Sequence, residues 1–223
     1  MNHLESELAH LNKTIIEMMD LARTQLEKAK IAFLEYSAEV AEEIIHHEKR
    51  VNAMELAIDR DCENLLALFQ PVATDLRYVI SVLKINSDLE RIGDLADGIA
   101  DYVVDLEKPI SSKAFKAVKL EEMFEITIVM MTNIQRSFET GDANLARKVY
   151  KKDAELNTIN RNASRIITTM IKEVPEETRA LLFLFSTIRK LERVGDHIKN
   201  VAEDTIFYLE AKVLKHKKDR EVS

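Results

Sequence analysis

Four carboxylates with helical spacing stand out in the middle of the chain: Glu90, Asp94, Asp97 and Asp101. On a helix, with about 100° per residue, they share an arc of about 60°. Ile85, Ile92 and Ile99 fall on the opposite side, which is the side expected to face a core. Carboxylates that converge are hard oxygen donors and suit Mg²⁺, Ca²⁺, Mn²⁺ or iron. The spacing therefore predicts a cation-binding surface, which we call the first acidic face.

The same four residues could instead form a solvated helix surface. Such surfaces usually place Lys or Arg one turn from a carboxylate, which stabilises a helix by about 0.2–0.5 kcal/mol per pair. Between Ile85 and Glu107 the only basic residue is Arg91, which falls off the face on the helical wheel. Neighbouring carboxylates therefore repel one another, and a bound cation would turn this repulsion into ligation. The segment has no cysteine and no histidine, which disfavours zinc.

A second acidic face follows from an internal repeat, because LERIGD at residues 89–94 recurs as LERVGD at residues 191–196. Its carboxylates are Glu192, Asp196 and Glu203. Lys199 stands where the first face has Asp97, and it can pair with Glu203 one turn later. We therefore expect the second face to bind cations more weakly, or to bind fewer of them.

Each acidic face must be positioned by helices. Apolar residues recur at intervals of three and four, and Pro71, Pro109 and Pro175 interrupt them. The pattern predicts six helices, over residues 3–34, 38–69, 73–106, 114–139, 142–173 and 177–215. With the repeat, it predicts an all-α fold of two tandem three-helix bundles set in line. The first bundle takes residues 1–110, and the second takes residues 111–223 with a basic C-terminal tail.

The middle helix of each bundle adds polar residues beside the acidic faces: Glu48, Asn52, Asp153 and Asn157. In an antiparallel hairpin, residues equally far from the turn lie level with each other. Around Pro71, Glu48 then falls level with Asp94, and Asn52 falls level with Glu90. The other two residues fall level with the first two carboxylates of the second face. They could be further ligands, partners that orient ligands, or simple contacts between helices.

Composition narrows the function. The net charge of −7 and the pI of about 5.5 argue against nucleic acid as the main partner. One cysteine, Cys62, excludes an intrachain disulfide and fits a reducing cytosol. No apolar stretch reaches the length of a membrane span, and no signal peptide is visible, so we expect a cytoplasmic protein that reaches membranes only through partners.

Two other functions compete with a cation-binding regulator. A di-metal carboxylate oxidase would need two Glu-x-x-His motifs, and only Glu43 and His46 have that spacing. Lys148 and Lys151 stand at the corresponding positions of the second unit. A purely structural helical scaffold would need no metal. No nucleophilic triad, glycine-rich phosphate loop or zinc spacing occurs, so we expect a non-enzymatic protein.

Three segments resemble the PhoU family of bacterial phosphate-uptake regulators. Residues 70–77 (QPVATDLR) are similar to the family's QPVAxDLR segment, and residues 88–99 and 191–203 are similar to its two ERxGD segments. The resemblance covers nearly the whole chain except the residues after about 215. It implies two three-helix bundles without catalytic activity, and iron or zinc clusters held by paired E/DxxxD motifs. Here those motifs are Glu90 with Asp94 and Glu192 with Asp196, and Asp101 and Glu203 lie further along the same faces.

The resemblance also implies partners and a role. Family members are thought to link the ATPase of the phosphate ABC transporter to a membrane sensor histidine kinase, and to damp the phosphate-starvation response when phosphate is plentiful. A homodimer is plausible for a bundle of this kind. Asn200 could be a further ligand of the second face, or a residue that orients a ligand. Two departures from the family pattern bear on the metal count: Gly98 stands where the second copy has Asn200, and Lys199 places a positive charge in the second face.

Overall fold

A computed structural model describes residues 3–214 of the chain. Its described part is helical throughout, apart from short connections and one 3-10 turn at Pro175–Glu177. The α-helices in chain order are α1 (His3–Glu35), α2 (Ala38–Phe69), α3 (Ala73–Asp105), α4 (Ser112–Val118), α5 (Leu120–Thr140), α6 (Ala143–Glu173) and α7 (Thr178–Glu210). The predicted all-α fold is confirmed, and the basic tail beyond residue 214 lies outside the described residues.

Local signals set most of the helix ends. Ser37 caps α2 by accepting a hydrogen bond from the backbone N–H of Val40 at 3.3 Å. Asp142 caps α6 in the same way, through the N–H of Asn144 at 2.9 Å. Gly141 precedes it with a φ of 70°, a left-handed conformation that glycine adopts without steric cost. These positions agree with the predicted boundaries to within a few residues.

Two boundaries differ from the prediction. The predicted fourth helix is two helices, because Lys119 takes a left-handed φ of 56° and interrupts the chain between α4 and α5. The last helix ends at Glu210 rather than near residue 215. Ala211 has a φ of 56°, and its N–H donates to the carbonyl of Phe207, which closes the helix.

The two bundles lie side by side, not in line as predicted. Helices α1, α2 and α3 form the first, and α5, α6 and α7, with α4 against α6, form the second. Helix α3 runs antiparallel to α7 along its whole length: Tyr78 contacts Tyr208 near one end, and Tyr102 stacks on Phe183 near the other. We call this contact the central interface, and α1 packs against α5 beside it. The predicted domain boundary falls between α3 and α4, in the connection at residues 106–111.

Candidate functional site

The first acidic face gains a carboxylate from the neighbouring helix. The core side of α3 is as predicted, with Ile85, Ile92 and Ile99 fully buried. On the other side, the Glu90 side chain is 13% exposed and that of Asp94 is 40% exposed. Glu48 on α2 has both carboxylate oxygens buried, and no hydrogen-bond donor of the described residues reaches either of them.

These carboxylates raise one another's affinity for protons. The pKa of Glu48 is raised from 4.5 to about 7, first by burial and then by Asp94, Asp97 and Glu90. Burial and then Asp94 raise the pKa of Glu90, and burial followed by Asp101 raises that of Asp97. The pairing of Glu48 with Asp94 agrees with the level predicted from the hairpin. A cluster of carboxylates with raised pKa values is stabilised when it binds a proton or a metal cation.

Gly93 brings Glu48 close to α3. A Cβ atom at residue 93 would lie 3.0 Å from Cγ1 of Val51 and 3.6 Å from Oε2 of Glu48. The missing side chain lets α2 approach α3, so that Glu48 meets the acidic face. Sequence reasoning assigned no role to this glycine, although it lies inside the repeated segment and recurs as Gly195.

The protein supplies two cations to the first face. The Arg91 guanidinium lies 3.4 Å from Oε2 of Glu90 and 3.1 Å from Oδ2 of Asp94. The prediction that Arg91 lies off the face is therefore wrong, because its long side chain folds back over both carboxylates. The pKa of Lys190, on α7 of the second bundle, is lowered by burial and by Arg193, and the carboxylates Asp101, Asp97 and Asp94 of the first face oppose that lowering. The repulsion inferred from the sequence is thus partly relieved by the chain itself.

The second acidic face has the same plan, with α6 in place of α2. Asp153 is only 4% exposed, and its Oδ2 accepts hydrogen bonds from Nδ2 of Asn157 at 3.2 Å and from Nζ of Lys199 at 3.5 Å. Burial, then Asp196 and Asp153, raise the pKa of Glu192. Lys199 thus contacts Asp153 on the neighbouring helix α6.

Gly195 repeats the role of Gly93. A Cβ atom there would lie 2.5 Å from Cδ1 of Leu156 and 3.5 Å from Oδ1 of Asp153. The two bundles therefore place a buried acid against the acidic face by the same local device.

The remaining predicted site residues spread over different surroundings. Asp101 is exposed and affects Asp97, Asn52 is exposed on α2, and Glu203 is partly buried on α7. Asn200 does not join the second face. Its Nδ2 donates to Oδ1 of Asp88 at 3.1 Å, across the central interface.

The donor types on both faces fit a hard cation, and the buried oxygens of Glu48 fit one well because they have no donor of their own. The spacing is less favourable. Within residues 3–214, no group of three or more Asp, Glu, His or Cys side chains is arranged so that it could hold a metal ion as it stands. Binding would therefore need side chains to rotate inward, including Asp94 away from Arg91.

The predicted alternative of a di-metal oxidase finds no support in the placement of its motif. Glu43 is exposed on the outside of α2 and forms an ion pair with Lys28 at 2.7 Å. His46 is exposed as well. Neither side chain points into a bundle core, where the ligands of such oxidases lie. None of the described helices has a stretch apolar enough, at sufficient length, to cross a membrane.

Comparison with known proteins gives a consistent result. The model of a family described as the PhoU domain matches the chain twice, over residues 15–103 and 120–205. The phosphate-specific transport system accessory protein PhoU of Escherichia coli (strain K12) is 30% identical over 211 residues, which cover 95% of this chain and 87% of the relative.

Two crystal structures share the fold. PhoU from Pseudomonas aeruginosa superposes with a TM-score of 0.89 at 30% identity, covering 94% of this chain and 100% of that one. The phosphate transport system regulatory protein PhoU from Streptococcus pneumoniae superposes with a TM-score of 0.85 at 28% identity, covering 95% and 99%. The two matches to the domain coincide with the two bundles.

Proposed function

The chain belongs to the PhoU family, and on this premise we propose that it is a non-enzymatic regulator of phosphate uptake. In this role it represses the phosphate-starvation response by coupling the ATPase of the phosphate ABC transporter to a sensor histidine kinase. The observation that carries the proposal is the twofold match to the PhoU domain, over both bundles. The accessory role named for the Escherichia coli relative supports it, since that relative is similar over nearly the whole chain.

The proposal includes cations on the acidic faces. Glu48, Glu90, Asp94 and Asp97 would hold a cation on the first face, and Asp153, Glu192 and Asp196 would hold one on the second. Iron or zinc is suggested by the family, and manganese, magnesium or calcium by the oxygen donors. The bound ion would neutralise the carboxylates and fix α2 against α3, and α6 against α7. Support comes from the buried, donor-free oxygens of Glu48 and from its raised pKa.

Regulation would then act by contact between proteins. We place the protein on the cytoplasmic side of the membrane, as a homodimer that reaches the membrane through the transporter and the kinase. The metal-bearing faces serve either as docking surfaces or as internal braces that keep the docking surfaces in shape.

A genetic experiment tests the function. The gene is deleted in the organism of origin, and transcripts of the phosphate-transporter genes are measured in phosphate-rich medium. We expect derepression in the deletion strain and repair by the wild-type gene. Transcript levels that stay low without the gene would contradict the regulatory role.

The same strain tests the acidic faces. Glu90→Gln/Asp94→Asn and Glu192→Gln/Asp196→Asn variants replace the wild type, and elemental mass spectrometry of the purified proteins gives their metal content. We expect metal to fall by a fixed amount in each variant, with loss of repression in at least the first. Folded, metal-free wild-type protein with unchanged repression by both variants would instead favour a structural scaffold.

A further inference from the structure

The second bundle covers the end of its middle helix less completely than the first bundle does. In the first bundle one unbroken helix, α1, packs along α2. In the second bundle Lys119 takes a φ of 56° and ends α4, so that a helix of only seven residues lies against this part of α6. The repeat sets Leu65 on α2 against Met170 on α6. Leu65 is 2% exposed, whereas Met170 is only partly buried.

A groove runs along α6 beside α4. It consists of two cavities, of about 530 Å³ and about 290 Å³, which share Ala117, Arg165 and Ile166. Its apolar lining comes mainly from Ile159, Ile166, Met170, Val174 and Leu181. Between residues 159 and 174 it follows α6 for about 22 Å, at 1.5 Å per residue, which is the length of four helical turns.

Two cations without an ion pair border the groove. Lys113 on α4 and Arg165 on α6 are both exposed, and neither forms an ion pair with any residue of the range 3–214. Arg165 lies where the two cavities meet, since it lines both of them. In a chain with a net charge of −7, a free guanidinium at the centre of an apolar groove favours an acidic occupant.

Acidic residues line the groove only at its end near the turn between α6 and α7. They are Glu173 and Glu177, and Glu177 lies 3.8 Å from the ammonium of Lys108. The opposite end is bordered by Lys119. The acidic residues of an occupant therefore belong over the middle of the groove and toward the Lys119 end.

The shape of the groove favours a helix. Its walls are helices, whose backbone groups already bond to one another, so they offer no row of partners to an extended peptide. A helix satisfies its own backbone and presents one apolar face, which suits a straight apolar groove. A lipid surface fits less well. None of the large apolar side chains that are well exposed in the described chain lines the groove, so nothing projects from it to enter a bilayer.

We propose that the groove between α4 and α6 docks an acidic amphipathic helix of a partner protein. The apolar face of that helix packs on Ile166 and Met170, and one of its carboxylates pairs with Arg165. This inference goes beyond the proposed function, because it assigns a surface and a class of partner. It involves neither acidic face and no metal, so failure of the cation binding would leave it standing.

A labelled peptide tests the chemistry of the groove on the purified, full-length chain. The probe is a fluorescein-labelled helical peptide of about 15 residues, with leucine on one face and glutamate on the other, and fluorescence anisotropy gives its Kd. We expect Arg165→Glu to raise the Kd by about tenfold, because it reverses the charge where the cavities meet. Ala117→Glu should do the same, since it puts a carboxylate into the shared part of the groove. Both positions are exposed, so both variants should fold.

Lys148→Glu is the matched control. Lys148 is exposed on α6 outside the groove, and its substitution changes the net charge by the same amount as Arg165→Glu. We expect its Kd to stay within about twofold of the wild type, because solvent screens a distant surface charge. Absence of peptide binding, or equal weakening by Lys148→Glu and Arg165→Glu, would overturn the proposal. So would binding to phosphatidylglycerol vesicles that Arg165→Glu abolishes, since that would make the groove a lipid site.

Cross-linking in the organism of origin identifies the natural occupant. A photoreactive benzoylphenylalanine replaces Thr169, which is exposed and lines the groove. Mass spectrometry then gives the sequence of the cross-linked segment. We expect a segment of another protein with acidic residues beside a helical apolar face, and we expect Ala117→Glu to abolish the cross-link. Cross-links only to lipid or to a second copy of this chain, or none at all, would overturn the proposal.

Discussion

The carboxyl group of Glu48 on α2 lies beside that of Asp94 on α3, and the charge of Asp94 adds to the effect of burial in raising the pKa of Glu48. Both oxygens of Glu48 are buried, and within the described residues no donor reaches them. The two carboxyl groups lie between α2 and α3 next to Gly93, where a Cβ atom would lie 3.0 Å from Cγ1 of Val51. Their charge state should therefore affect the stability of the bundle.

Glu48→Gln should stabilise the metal-free protein at pH 8. The folded-state pKa of Glu48, about 7, lies above the ordinary value of 4.5. Its contribution to stability is therefore fully present below pH 4.5 and is lost as the pH rises through about 7. Glutamine removes that loss, and because Glu48 is only partly buried we expect a gain on the order of 1 kcal/mol. Urea unfolding in EDTA at pH 5 and pH 8 measures it.

Glu43→Gln, on the same helix, is the control. Lys28 lowers the pKa of Glu43, so that its contribution is present above the ordinary pKa and is lost in acid. Glutamine at residue 43 should therefore not stabilise the protein at pH 8. Equal effects of the two substitutions would contradict the assignment of the pH dependence to the buried pair.

Gly195→Ala and Gly98→Ala should differ, although both exchange a glycine for a better helix former. The new methyl group at residue 195 would lie 2.5 Å from Cδ1 of Leu156, which is fully buried. At residue 98 it meets only the end of a flexible lysine. We expect Gly195→Ala to destabilise the protein by about 1–3 kcal/mol, and Gly98→Ala to cost little or nothing. Denaturant unfolding measures the change in the free energy of unfolding for both variants. Similar changes would be evidence against close packing of α6 on α7.

Local chemistry explains which parts of the fold could be predicted. Ser37, Pro71 and Asp142 act within a turn of their own position, so the helix boundaries they set are visible in the sequence. The level of Glu48 with Asp94 follows from the hairpin length alone. These features need no knowledge of how the two bundles meet.

Other features depend on packing that the sequence does not encode locally. Lys119 is a good helix former, and nothing near it signals the left-handed conformation that separates α4 from α5. Lys190 stands on the second bundle, and only the lateral contact of α7 with α3 brings it to the first acidic face. The helical wheel puts Arg91 outside the first acidic face because it gives only the direction of each Cβ atom. The long arginine side chain reaches back to Glu90 and Asp94.

Asp88→Ala should weaken the central interface. The side chain accepts a hydrogen bond from Asn200 and contacts His197, and both partners are partly buried. Leaving them unpaired should cost about 1–3 kcal/mol in the free energy of unfolding. The neighbouring Ser87→Ala, at an exposed position of the same helix, serves as the control and should have almost no effect.

A double-mutant cycle then assigns the loss. If the loss of stability in Asp88→Ala comes from the hydrogen bond to Asn200, the double variant Asp88→Ala/Asn200→Ala should lose less stability than the two single variants lose in sum. Strict additivity would show that the two side chains do not act as a pair across the interface.

The second acidic face should bind cations more weakly than the first, and Lys199 should be the cause. Its ammonium contacts the buried carboxylate of Asp153 at 3.5 Å, so an incoming cation must compete with a charge already in place. On the first face Arg91 lies 3.1 Å from Asp94, but both side chains of that pair are exposed and water screens it, whereas the Asp153 side chain is only 6% exposed. In protein whose first face is neutralised by Glu90→Gln/Asp94→Asn, we expect Lys199→Met to lower the Kd for Mn²⁺ by about threefold to tenfold.

Lys152→Met on α6 controls for charge alone, because Lys152 forms an ion pair with Glu155 at 2.9 Å. A tighter second face in the wild type, or an equal response to both lysine substitutions, would show that Lys199 does not set the difference between the two faces.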